Sequence, residues 1–182
     1  MAILTSDLKF NKSLHVVAAS VGNGNTHDLE IDSLGGGISE TELISGELHG
    51  LFDAVPSSEA LSGRTEYRLI YVRNNHATQT LYDARVFITA NTVSLESTME
   101  IGLDPVAGNA EDSVILLDDE VDSGDALQAV VWAEHATFAE GLSIGNLNAG
   151  EQRAIWARRI IDAGATPTAE SATFVIRGDT DA

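Results

Sequence analysis

Cysteine is absent from the 182 residues, which excludes a disulfide framework, a thiol nucleophile and any zinc or iron–sulfur site built on cysteine. No apolar run approaches the roughly 18 to 20 residues that cross a bilayer. The opening Met1-Ala-Ile-Leu-Thr-Ser-Asp-Leu-Lys9 carries no apolar block behind its charges, so neither export by a signal peptide nor membrane anchoring is expected. Lysine is scarce, with Lys9 and Lys12 the only two, and 28 Asp and Glu against 10 Lys and Arg leave a formal charge of −18. Such a surface repels nucleic-acid phosphate and anionic lipid, because both are held by basic side chains. It suits plain solubility, a saline environment or a basic partner. Aromatic residues make up only 5% of the chain, fewer than a sugar-binding cleft usually displays.

What is present suffices for a packed core. Hydrophobic residues reach 43% and charged residues 21%, close to the average for globular chains. The length fits one domain. Residues 1–37 read as an N-terminal arm with short strands, punctuated by Val21-Gly-Asn-Gly-Asn25 and closed by Gly35-Gly-Gly37. Residues 38–182 read as the domain proper. Ser39 followed by Glu42 resembles a capping box, so a short helical turn is expected between Ile38 and Val55.

From Thr65 onward the strand signal is clear. Glu66–Arg73 and Leu81–Thr89 are rich in β-branched and aromatic residues and predict a hairpin turning at Asn74–Thr78. Further strands are expected at 97–102, 113–117, 127–132, 152–161 and 173–177. That count and spacing predict an all-β, antiparallel β-sandwich of jelly-roll or Ig-like type, with at most one short helix. Arg64–Arg73 and Glu151–Arg158 echo one another in a polar start, an aromatic inside an apolar strand and an arginine exit. Two sheets of similar edge pattern account for this without duplication.

Candidate chemistry is sparse. His15, His27, His49, His76 and His135 lack the close spacing of compact zinc sites and read as surface or loop residues. His27-Asp28 has no activated nucleophile beside it. The stretch Asp118-Asp-Glu-Val-Asp-Ser-Gly-Asp125 places Asp118, Glu120, Asp122 and Asp125 as candidate calcium ligands. Its glycine falls at the seventh place instead of the sixth, however, and no glutamate closes the loop, so a solvated acidic loop competes with the calcium reading. The glycine clusters lack the helix and Lys-Ser or Lys-Thr of a phosphate cradle and read as turns. In Arg153-Ala-Ile-Trp-Ala-Arg-Arg159 the arginines alternate with apolar residues, giving either a self-association edge or intramolecular ion pairs. No catalytic residue and no cofactor is assigned.

Ile44-Ser-Gly-Glu-Leu-His-Gly-Leu-Phe52, Arg64 to Thr78, and Leu81 to Thr92 together resemble a block in small virion structural proteins of tailed bacteriophages. Gly141–Gly145, Arg153–Arg159, Arg177-Gly-Asp-Thr180 and the first thirteen residues extend the resemblance. These are strand and turn phrases rather than catalytic signatures. The resemblance implies a non-enzymatic β-sandwich in an assembled particle, first as a capsid decoration (cement) protein on the major capsid protein. A neck, tail or baseplate subunit is the alternative, and a carbohydrate- or cell-surface-binding module is a rival of another class. A hydrolase on a β scaffold is a third. A homo-oligomer, with a trimer favoured, is expected in the virion after synthesis in the host cytoplasm. Partner contacts are expected at Phe10 and Leu14 in the arm and at Leu48, Leu51 and Phe52, apolar residues outside the expected strands.

Overall fold

The computed structural model describes residues 2–14, 33–92, 94, 96–105, 115–117, 119–121, 126–166 and 170–180. Among these residues eight strands form: β1 (Leu8–Ser13), β2 (Ile38–Glu42), β3 (Arg64–Asn74), β4 (Leu81–Ala90), β5 (Ser97–Leu103), β6 (Leu142–Leu147), β7 (Gln152–Ile161) and β8 (Thr173–Asp179). A 3₁₀ turn at Thr5–Asp7 precedes β1, and a short helix, α1 (Ser57–Ser62), precedes β3. The strands make a five-stranded sheet in the order β2-β1-β3-β7-β5 and a three-stranded sheet in the order β6-β4-β8. Every neighbouring pair is antiparallel. The all-β expectation holds at this level.

The two sheets share one apolar core. Ile70, Val72, Ile101, Ile155 and Ala157 of the large sheet pack with Leu81, Ala84, Val86, Ile88, Ile144 and Leu147 of the small one. A second cluster lies on the opposite face of the large sheet, where Leu69, Tyr71, Ala154 and Trp156 meet Leu34, Leu117, Leu127 and Val130. Burial on both faces explains why β3 and β7 read as nearly continuous apolar runs rather than clean alternations. Leu69, Ile70, Tyr71 and Val72 are successive residues, all at most 2% exposed.

Three expectations are corrected. The hairpin between Glu66–Arg73 and Leu81–Thr89 does not form, because β3 gives its two edges to β1 and β7 while β4 gives its own to β6 and β8. The chain crosses between sheets instead. Asn74 fastens that crossing by donating from Nδ2 to the carbonyls of Gln79 and Leu147, both at 2.9 Å. His76 Nδ1 accepts the amides of Thr78 at 3.1 Å and Gln79 at 2.9 Å.

Second, the helical turn expected within 38–55 is a strand at Ile38–Glu42, and the short helix comes later. Ser39 is buried in β2, where its carbonyl accepts Asn11 Nδ2 at 3.2 Å. The open edge of β1 offers a ladder that outweighs a local cap. Third, the strand expected at 127–132 is a turn at 126–129 followed by chain outside any strand. Leu127 and Val130 face the large sheet there, and Gly102 permits the approach, since a Cβ on it would sit 2.3 Å from Val130 Cγ1. Of 113–117, the described residues contribute a single bridge, Leu116 to Gly35.

The echo between Arg64–Arg73 and Glu151–Arg158 also has a physical origin. β3 and β7 are adjacent, and Arg64 to Arg73 pairs residue for residue with Ile161 to Gln152. Similar surroundings select similar residues. The arm proposed for residues 1–37 contributes β1, an interior strand paired with β3 from Leu8↔Asn74 to Lys12↔Ile70.

Candidate interaction groove

Between β2 and α1 the chain makes a long connection, residues 43–56, that lies against the entrance to the shared core. A groove of about 810 Å³ opens beneath it. Phe10 and Phe174 meet on its floor with ring centroids 6.1 Å apart, bringing β1 of one sheet against β8 of the other. Met99 and Ile161 extend the floor, and Ile44 and Leu48 stand at its lip, 62% and 78% exposed. Large apolar groups displayed together on one loop are uncommon on a surface without a partner.

The loop is clamped from within by an ionic cluster. Arg68, buried at 1% exposure, donates from Nε to the Leu51 carbonyl at 3.2 Å, and its guanidinium lies 5.4 Å from the Phe52 ring. Arg159 donates to the Asp53 carbonyl at 2.9 Å and lies 4.9 Å from the same ring. Phe52 is therefore held between two cations, each attracted to the electron-rich ring face.

The carboxylates that balance these cations come from four elements. Glu66 on β3 pairs with Arg159, whose Nε donates to it at 2.8 Å, and with Arg64 at 3.1 Å. Glu120 is shared by Arg64 and Arg68, Glu59 of α1 pairs with Arg64, and Asp53 lies 3.5 Å from Arg68. Glu66 is 2% exposed. Burial penalises its charged form more than Arg159 and Arg64 favour it, so its carboxyl titrates above the ordinary carboxylate range.

The predicted site residues separate accordingly. Phe10, Leu48, Leu51 and Phe52 all line the groove, although Phe10 belongs to β1 and Phe52 is largely buried. Leu14 follows β1 and is 44% exposed, outside the groove lining. Of the calcium candidates, Glu120 is occupied by two guanidiniums, and Asp118, Asp122 and Asp125 lie outside the described residues. His15, His27 and Val21–Asn25 also lie outside them. Among the described residues no cluster of three His, Asp or Glu side chains could hold a metal ion.

The arginines of β7 form intramolecular ion pairs, Arg158 with Glu100 and Arg159 with Glu66. Sequence reasoning did not find Arg68, Glu66 or Phe174 as parts of the site. Arg68 and Glu66 lie inside the apolar β3 pattern, and only their inward position, shared with Ile70 and Val72, could have marked them as partnered. Comparison of the chain with protein-family models, curated proteins and solved structures returned no match.

Proposed function

We propose that this chain is a non-enzymatic virion structural protein, a capsid decoration (cement) subunit that binds an assembled shell through the groove beneath residues 43–55. Its two sheets are read as a sandwich of the Ig-like or jelly-roll kind. The observation that carries this reading is a loop that is clamped yet displays its apolar residues: Ile44 and Leu48 are exposed while Leu51 and Phe52, a few positions on, are fixed by Arg68 and Arg159. Preorganising an apolar lip reduces the ordering cost of binding. Repetition over many equivalent shell positions makes weak single contacts sufficient. The charge of −18 matches a basic partner surface and disfavours nucleic acid. A neck, tail or baseplate subunit would use the groove in the same way.

Light scattering coupled to size-exclusion chromatography, at low and high salt, tests the reading beside a protein inventory of purified particles. A discrete trimer or larger ring, abundant in particle heads, is the expected result. Abundance in tails alone moves the assignment to the tail subunit. A monomer indifferent to salt and missing from particles overturns it.

A further inference from the structure

We infer that the free edge of β8 and the adjoining groove form one docking site for an extended, apolar segment of another protein flanked by lysine or arginine. The inference rests on the virion reading and names how the partner is held.

β8 is the outer strand of the small sheet, bonded among the described residues to β4 alone. Opposed residues of an antiparallel pair alternate between bonding each other and bonding outward, and the ladder from Arg85↔Arg177 to Ile88↔Phe174 carries no register shift. The amide of Ile88 donates to the His135 carbonyl at 3.0 Å, on the side of β4 away from β8. Ile88 and Phe174 therefore do not bond each other, and the peptide groups of Phe174, and two residues on of Ile176, point outward. Among the described residues nothing meets these amides. An open edge with β-branched and aromatic residues is a template for an added strand. Lysine and proline, two of the usual blocks to edge pairing, are missing from Thr173–Asp179, and the two register shifts of its ladder with β4 lie outside the run from Phe174 to Arg177.

The outer edge of β5, which equals β8 in length, is closed. The Asn91 side chain accepts the Met99 amide and donates to the Met99 carbonyl, each at 2.9 Å, and Ala133 exchanges two backbone bonds with Ile101. Against that guarded β5, the open β8 stands out. Its first two residues, Thr173 and Phe174, also line the groove, so a strand laid along β8 would run into it and place alternate side chains over Phe10 and Met99.

The charge around the groove selects the partner. Glu47, Asp53, Glu96 and Glu170 border it, and the one guanidinium among its described lining residues, Arg159, is paired with Glu66. A second copy of this chain has little positive charge to offer. Lys9, Arg64, Arg68, Arg158 and Arg159 pair with the chain's own carboxylates, Arg73 and Arg153 lie 4.0 Å from Glu40 and Glu151, and Arg85 and Arg177 lie over the Phe138 ring, so that Lys12 alone has neither kind of contact among the described residues. A different protein, richer in lysine and arginine, fits the acidic border better.

Selection of a displayed library of random dodecapeptides on the immobilised full chain tests this. Enriched peptides are expected to alternate apolar residues and to end in lysine or arginine. Their binding should slow hydrogen exchange at the Phe174 and Ile176 amides, read by NMR. Leu48→Asp should weaken it about tenfold or more, as loss of a central apolar contact does, whereas Val131→Asp, at an equally exposed position outside the groove, should leave it unchanged. Failure to enrich any peptide, enrichment without basic residues, or binders that leave both amides unprotected would overturn the inference. The virion reading fails separately: particles that hold the chain while no such peptide binds sink only the docking mode, and peptide binding by a chain missing from particles sinks only the virion assignment.

Discussion

Two long connections of this chain bury their apolar residues to different depths. Among the described residues of 115–132, Leu117, Leu127 and Val130 are buried at 2 to 5% exposure against Trp156 and Tyr71, with Leu116 and Val131 left outside, whereas residues 43–56 hold Ile44 and Leu48 out at 62 and 78%. Both connections are anchored by hydrogen bonds. Leu117 donates to the Leu34 carbonyl at 2.9 Å, and Tyr67 to that of Glu120 at 2.8 Å. In the other connection Arg68 and Arg159 hold the Leu51 and Asp53 carbonyls. The difference lies in what each lands on. The first covers the outer face of the large sheet, which would otherwise show Leu69, Tyr71 and Trp156 to water. The second packs Leu51 and Phe52 inward and leaves the floor of Phe10, Met99 and Phe174 open, with Ile44 and Leu48 at its lip. Whether a loop leucine is buried depends on where the backbone is held against the sheet beneath it, and composition alone does not report that.

The sharpest way to break this contrast is to truncate the buried side. Trp156 is fully buried, and its Nε1 donates to Asp104 at 2.9 Å. Trp156→Ala should cost about 3 to 5 kcal/mol and Leu127→Ala about 2 to 5 kcal/mol in urea unfolding, by lost burial and the cavity left behind. Leu48→Ala should fall within about 0.5 kcal/mol of the parent. Equal midpoints for Leu127→Ala and Leu48→Ala would mean that the two connections do not differ.

The clamp comes next in size. Arg68→Ala removes the Nε bond to Leu51, the cation beneath Phe52 and a partner of Glu120. Hydrogen bonds to charged groups contribute about 1.5 to 3 kcal/mol, and Glu120 and Asp53 reach solvent, so a loss near the lower end of that range is expected. The amide resonances of Leu51 and Phe52 should shift most. An unchanged loop spectrum would show that Arg68 does not hold the groove wall.

Much of this is legible in the sequence. Strands β3, β4, β5, β7 and β8 were visible because β-branched and aromatic residues cluster between turn residues, and Leu48, Leu51 and Phe52 were singled out for being apolar outside that pattern. The pairing was not legible. Asn74–Thr78 has the composition of a turn, but whether a turn closes a hairpin or crosses between sheets depends on which edges distant strands have taken. β6 was missed as a strand because Leu142-Ser-Ile-Gly-Asn-Leu147 is short and weakly apolar, and only its place on the edge of β4 makes it one. The ionic cluster was invisible for a related reason: Glu66 and Arg159 are 93 positions apart and meet only through the β3–β7 register.

Glu66→Gln probes that cluster through pH. Burial holds the Glu66 carboxyl above its ordinary value of 4.5, so the folded state keeps this proton to higher pH than the unfolded chain does. The stabilisation is fully present below the unfolded value and is lost as pH rises through the folded one. The stability of the parent relative to Glu66→Gln should therefore fall as pH increases from about 4.5, then level off once the carboxyl is ionised. A difference that grows with pH would show that Arg159 and Arg64 outweigh the burial.

The smallest expected effect tests the exposed side directly. Leu48→Asp adds a charge to a residue 78% in contact with solvent, beyond the clamp and next to no buried neighbour that would lose packing. Stability should stay within about 0.5 kcal/mol, while retention on a hydrophobic-interaction column falls, because the apolar lip is interrupted. The two readouts separate the possibilities when followed against protein concentration. A penalty of more than about 1 kcal/mol that grows with concentration would mean that free subunits already bury Leu48 in one another, since a contact between copies stabilises by mass action. A flat, near-zero penalty leaves the lip open in the free protein and available to a partner.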